Sequence, residues 1–237
     1  MVNSGYVDYT RNFLRAINFD FNITIYCLDK EAFNALDGEP HGTCVDASVF
    51  MKTEYSQKLC IWATPEYKKI LSAKLDSIKY TLEHSVCPVG YIDMDIVVFT
   101  DPTPILLQCM KDNPSTQMFT QCDEITSECT NFHKCKSMCS GVIVFRNNDI
   151  CKHLLSHTEA DIARYQSDQD LIMHKCDMLG IGRMSVSNRI FINGAYPHLR
   201  DYKVSFPSTA CLVHFNHTID RNGEKRKAMM LQDLWRI

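Results

Sequence analysis

The chain has 237 residues, of which 45% are hydrophobic and 22% charged, the balance of an ordinary soluble globular protein. Its formal net charge of −3, with only the short basic cluster Lys225-Arg226-Lys227, excludes a phosphate-neutralising surface, so nucleic acid is not an expected partner. No apolar run approaches the roughly 18 residues that a transmembrane helix needs. The length suits a single α/β domain over residues 1–237.

In chain order, residues 7–18 read as a helix and Ile23 to Leu28 as a strand ending at Asp29. Glu66 to His84 reads as a helix, with Leu71, Leu75, Ile78 and Leu82 in a stripe at helical spacing. Val89 to Phe99 reads as one buried strand, and Gln117 to Gln121 and Gly141 to Phe145 as two shorter ones. Ile150 to Tyr165 and Gln169 to Leu179 read as helices, the second capped by Ser167 or Asp168. Cys211 to Phe215 is a late strand, and a Lys-rich helical tail follows. Residues 122–139 are polar and Cys-rich and read as a long loop. Strands alternating with helices predict a mostly parallel sheet covered on both faces.

The N-terminal Met1-Val2-Asn3-Ser4-Gly5-Tyr6 lacks the regions of a signal peptide. The expectation is therefore a cytoplasmic protein, unless an anchor has been removed; a microbial or viral source would suit it. The twelve cysteines are then expected to be reduced and mostly buried. Cys122, Cys129, Cys135 and Cys139 form a cluster without the CxxC spacing of a structural zinc site. The sequons at Asn22 and Asn216 carry little weight in such a compartment.

The chemistry-bearing residues begin with Asp93 and Asp95. Residues two apart on a regular strand share a face, and a buried pair of like charges costs several kcal/mol unless a cation compensates it. A hard divalent cation with oxygen ligands, Mn²⁺ or Mg²⁺, is the simplest compensation. Lys74 lies on the apolar stripe of its helix, so it must snorkel or find an anion. His214 and His217 end a strand, where an imidazole would complete an oxygen-rich Mn²⁺ site. Gly223 with Lys225 or Lys227 beyond them would suit a phosphate. Ser167-Asp168-Gln169-Asp170 opens a helix, where acids favour the dipole, but the Gln between two acids is not accounted for by capping. Asp93-Met94-Asp95-Ile96-Val97 also fits the nucleophile motif of haloacid-dehalogenase-type phosphatases, although those place it on the first strand.

Taken together and in order, several segments resemble the nucleotide-diphospho-sugar transferases with a GT-A fold. They are Asn3-Ser4-Gly5-Tyr6 with Asn12-Phe13-Leu14; Lys74 and Leu82; Tyr91-Ile92-Asp93-Met94-Asp95 with Asp101-Pro102; Cys139-Ser140-Gly141 to Arg146; Asp168-Gln169-Asp170; and His214-Phe215-Asn216. A Cys-Ser pair stands where that family's N-x-G strand usually has Asn-Thr or Asn-Ser. The resemblance implies a Rossmann-like sheet binding a nucleoside-diphosphate sugar, most commonly a UDP-sugar, through a DxD-held metal. It implies Asp93, Asp95 and His214 as metal ligands, with His217 in reserve and Asp93 also near the ribose. Asn3 and Lys74 would line the donor site, and Lys225 or Lys227 would hold the diphosphate. Asp123 and Asp168 would touch the transferred sugar, and Gln169 would face the anomeric carbon. The implied activity is glycosyl transfer to a hydroxyl of a glycan or protein-linked glycan, with Asp-Gln-Asp favouring retention; in an inverting enzyme Asp168 would be the catalytic base. The rival expectations are a nucleotide-sugar-binding partner subunit without activity and a phosphatase using Asp93.

Overall fold

The computed structural model describes residues 1–20, 22–51, 55, 57–58, 60, 64–123, 132–133, 137–199, 201–216 and 223–237. After a short 3-10 turn at Ser4–Tyr6, α1 (Val7–Ala16) turns Phe13 and Leu14 into the core. β1 (Ile23–Cys27) and β2 (Gly42–Asp46) form a parallel pair connected through α2 (Lys30–Leu36). Asp29, where β1 was expected to stop, is the N-cap of α2. Its Oδ1 accepts the Ala32 amide at 2.7 Å while its Oδ2 accepts the Ser4 amide at 2.8 Å, so one carboxylate ties the N-terminal segment to the helix start.

α3 (Pro65–Glu83) begins with the Thr64 hydroxyl accepting the Tyr67 amide at 3.2 Å, and Pro65 fills the first turn, where its missing N–H costs nothing. The expected stripe of Leu71, Leu75, Ile78 and Leu82 is buried. Three of its members, Leu75, Ile78 and Leu82, pack with Val89, Ile143 and Phe145, each contributing about 2 kcal/mol relative to exposure.

The single strand expected over 89–99 is two: β3 (Val89–Ile92) and β4 (Ile96–Val98). They belong to different sheets. α4 (Thr103–Asp112), β5 (Met118–Cys122), β6 (Phe132–His133) and β7 (Met138–Phe145) follow, so the expected loop over 122–139 contains one short strand and the start of another. The helix expected over 150–165 is also divided, into α5 (Asp149–Leu155) and α6 (Glu159–Arg164). Thr158 forms a capping box with Asp161, and this local hydrogen bonding starts a new helix instead of prolonging the old one. α7 (Asp168–Leu179) is capped by Ser167 and ends at Gly180, whose φ of 62° is the left-handed closing turn. β8 (Arg183–Val186), β9 (Phe191–Ile192), β10 (Leu212–His214) and α8 (Glu224–Leu231) complete the order.

The larger sheet runs β3-β7-β5-β8-β6 and the smaller β4-β10-β9. β5–β8 and β9–β10 are parallel, but β3–β7, β5–β7, β6–β8 and β4–β10 are antiparallel. The α/β class holds, while the sheet is mixed where a mostly parallel one was expected. β4 is buried on both faces. Ile96 and Val98 pack toward Phe13 and Leu14 of α1, and Val97 packs toward Phe215 and Met229 on the other side. The continuous apolar run of its sequence reflects that double burial. Asp93 follows the third strand, not the first, which removes the topological basis of the phosphatase reading.

Candidate active site

The break between β3 and β4 builds the site. β3 pairs with β7 as far as the Asp93 amide, which donates to Gly141 O at 2.8 Å. β4 pairs with β10, starting from Ile96 opposite His214, and the Phe215 amide donates to Asp95 O at 3.0 Å. Asp93 and Asp95 therefore converge because the chain changes sheets between them, not because they share the pleat of one strand. His214, at the end of β10, meets them there. Its Nε2 lies 3.1 Å from Asp95 Oδ1 and 3.7 Å from Asp93 Oδ2. One ligand atom from each of the three lies within 4.8 Å of the others.

Gly141 makes this approach sterically allowed. A Cβ there would lie 2.0 Å from His214 Cε1 and 2.9 Å from Asp93 Oδ2, so any side chain would displace both residues. The glycine is needed for close approach, its backbone having no unusual φ.

The charges are enclosed and balanced. Burial alone would raise the Asp95 pKa, but Lys225, whose Nζ is 2.6 Å from Oδ2, and His214 outweigh it and hold the carboxyl well below its ordinary range. For His214, burial opposes the charge; the carboxylate of Asp95 and then Cys139 overcome it and push the pKa up to about 10. The proton on Nε2 thus serves as counter-charge to the acids; a cation held by that nitrogen would take its place, since a ligating imidazole nitrogen must be deprotonated.

Lys74 does find anions. It is 5% exposed on α3, and its Nζ lies 2.9 Å from Asp168 Oδ2 and 3.7 Å from Asp93 Oδ1. It also donates to Ser140 O at 2.8 Å and lies 4.4 Å from the centre of the Tyr91 ring. Burial works against its charge, yet Asp168 and Asp93 hold the pKa above the ordinary lysine value. One ammonium therefore joins α3, β7, the start of α7 and the Asp93 carboxylate. Tyr91 completes the group, donating its hydroxyl to Asp93 Oδ1 at 2.8 Å.

These groups face a cavity of about 720 Å³. Of the residues expected from the sequence, Asn3, Lys74, Asp93, Asp95, Asp123, Asp168, Gln169, His214 and Lys225 line it. Asn3 is buried and donates its Nδ2 to Lys58 O at 2.9 Å. Asp123 accepts from Asn216 Nδ2 at 3.3 Å. Lys227 is exposed on α8 and does not line the cavity, which leaves Lys225 as the lysine of that pair at the site. His217, Cys129 and Cys135 lie outside the described residues. Nine described cysteines are free, but Cys122 is disulfide-bonded, which corrects the expectation of twelve reduced thiols. Among the described residues no helix is long and apolar enough to cross a membrane.

The sequence reading missed Tyr67 and Gln121. Tyr67 lines the cavity, and burial followed by Asp168 and Asp93 raises its phenol pKa. Gln121 is fully buried on β5 and contacts His214. Its one legible signal is an amide side chain in an otherwise buried strand, which must find partners.

The donor set fits a hard divalent cation: two carboxylates and one imidazole, from the β3–β4 connection and the end of β10, in a cradle that a Cβ at position 141 would fill.

The nucleotide-diphospho-sugar transferase family model matches residues 19–231. No curated protein matches the chain. Among solved structures, mouse xyloside xylosyltransferase 1 in its apo form superposes with a TM-score of 0.56 at 11% identity, covering 89% of this chain and 91% of that one. The apo form of the glycosyltransferase GlyE of Streptococcus pneumoniae TIGR4 superposes with a TM-score of 0.58 at 13% identity, covering all of this chain but 59% of that one. At such identities the likeness shows a shared fold, that of GT-A-like glycosyltransferases. With the family model spanning nearly its whole length, the chain belongs to the nucleotide-diphospho-sugar transferases.

Proposed function

We propose that this chain is a metal-dependent glycosyltransferase of the DxD type. It would move a sugar from a nucleoside-diphosphate sugar, by resemblance a UDP-sugar, to a hydroxyl of a glycan or protein-linked glycan, retaining the anomeric configuration. The observation that carries this is the convergence of Asp93, Asp95 and His214 with Lys74 and Lys225 on one cavity of a family member.

Asp93, Asp95 and His214 would hold Mn²⁺ or Mg²⁺. When bound, the cation neutralises charge growing on the departing diphosphate. Lys225 adds preorganised positive charge on the same side of the cavity. Asp168 is 3% exposed and tied to Lys74, so it suits accepting hydrogen bonds from the transferred sugar better than deprotonating an acceptor. That favours retention. The bond from the anomeric carbon to the diphosphate oxygen breaks, the bond to the acceptor oxygen forms on the same face, and the acceptor proton passes to the diphosphate. Gln169 on the cavity wall would orient the sugar, and Asn3 and Asp123 would contact the donor.

Thermal unfolding with UDP-, GDP-, CDP- and dTDP-sugars, each with Mn²⁺ or EDTA, tests the donor site by mass action. A UDP-sugar should raise the Tm by several degrees with Mn²⁺ and not with EDTA, and Asp95→Asn should abolish the shift while retaining the helical and strand signal. An unchanged shift in Asp95→Asn rules out the metal-ligand role. NMR of the product would then report the anomer. Inversion overturns retention, and donor binding without any turnover favours the partner-subunit reading.

A further inference from the structure

We infer that Gln121 fixes the tautomer and aim of the His214 ring, and so positions the nitrogen that faces the two carboxylates. The inference rests on the metal-site reading above.

Gln121 sits on β5 where its register against β7 is irregular: Thr120 lies opposite Ile143, but Gln121 lies opposite Cys139. Such irregularities re-aim side chains. Here the side chain is wholly buried, so each of its polar atoms needs a partner. Its Nε2 donates to Phe191 O at 3.1 Å and to Ile192 O at 2.9 Å. Backbone carbonyls only accept, so the amide nitrogen must face them and Oε1 must face away. Reversing the amide would set its oxygen against two carbonyl oxygens. Oε1 lies 2.8 Å from His214 Nδ1 and, being an acceptor, requires a proton there. In the neutral ring the lone pair is then on Nε2, the atom 3.1 Å from Asp95 Oδ1 and 3.7 Å from Asp93 Oδ2.

The alternative tautomer would point a lone pair at an amide oxygen and an N–H at the carboxylates, where it would obstruct a cation. Cys139 Sγ also approaches Nδ1, at 3.5 Å, but a thiol sulfur is a weak acceptor and the amide oxygen is closer. The two carbonyls belong to β9, which shares a sheet with β10, the strand of His214. Gln121 thus references the imidazole to its own sheet. Groups of this kind, behind a ligating histidine, orient the ring and raise its affinity for metal.

The test compares Gln121→Leu, which removes the acceptor, with Gln121→Glu, which keeps one and, buried and protonated, can still donate to a carbonyl of β9. Mn²⁺ affinity is read from the EPR signal of the free ion, and folding is checked by circular dichroism. Gln121→Leu should bind Mn²⁺ about 10–100-fold more weakly than the natural protein, and Gln121→Glu should recover part of that loss. Because either variant could fail to fold, the unsubstituted protein supplies an independent readout. With ¹⁵N-histidine and Mg²⁺, the His214 signal, assigned by its loss in His214→Asn, should show the proton on Nδ1. A purely structural role for Gln121 predicts no such recovery by Gln121→Glu. Natural Mn²⁺ affinity in folded Gln121→Leu, or a proton on Nε2 in the Mg²⁺-loaded protein, overturns this inference alone. No Mn²⁺ binding by the unsubstituted protein overturns the metal reading and this inference with it.

Discussion

Lys74 and Lys225 each place an ammonium in the same cavity, yet they are held differently. Lys74 is on a mid-helix turn of α3, and its side chain is 6% exposed with Asp168, Asp93 and the Ser140 carbonyl around it. Lys225 lies in the first turn of α8, is 16% exposed, and reaches Asp95. The difference separates structure from exchange. A buried charge cannot leave its partners without a large desolvation cost. A less enclosed ammonium can turn from a carboxylate to an incoming phosphate at smaller cost.

The most severe test of that contrast is Lys74→Met. It leaves Asp168 buried and uncompensated and should cost about 3–5 kcal/mol in urea unfolding. The double variant Lys74→Met with Asp168→Leu should recover most of this, because an apolar pair of similar volume avoids the desolvation cost altogether. Stability equal to the natural protein in the single variant would mean that Lys74 merely snorkels, and the contrast would fail.

Lys225→Met should cost less, about 1.5–3 kcal/mol, the worth of a charged hydrogen bond. Its kcat/KM should nonetheless fall about 100-fold, as when one preorganised electrostatic donor is lost. Saturating Mn²⁺ should narrow the stability gap, since a cation at Asp95 substitutes for the missing ammonium. A stability loss as large as that of Lys74→Met, unaffected by Mn²⁺, would erase the distinction.

Lys227→Met is the smallest effect. That side chain is exposed and away from the cavity, so stability should stay within about 0.5 kcal/mol and kcat/KM should not change. A loss comparable to Lys225→Met would bring Lys227 back into the site.

Much of the fold was legible from periodicity. α1, β1, α3, β5, β7, α7 and β10 all fall where apolar spacing or a Ser or Thr cap indicated. The elements that were missed, α2, β2, α4, β6, β8 and β9, are short or carry mixed patterns, and they are decided by neighbours distant in sequence. The division of 150–165 was in principle readable from Thr158 and Asp161, a capping pair three residues apart. The division of 89–99 was not. Apolar character continues across Asp93-Met94-Asp95 because β4 is buried and Val89, Tyr91 and Ile92 of β3 are buried or partly so, and burial does not report which sheet a strand joins. The two acids were paired for a geometric reason that does not hold, since the strand ends between them.

By itself the sequence determined which residue types had to be reconciled: two acids amid apolar strands, a lysine on an apolar helix face, a histidine at a strand end. Each is costly to bury alone, so each implies a partner. Only the tertiary structure decided the partners. It paired Lys74 with Asp168 and Lys225 with Asp95, set Lys227 away from the cavity, and placed Gln121 behind His214. Those choices depend on strand exchange and register between segments far apart in the chain, and no local pattern encodes them.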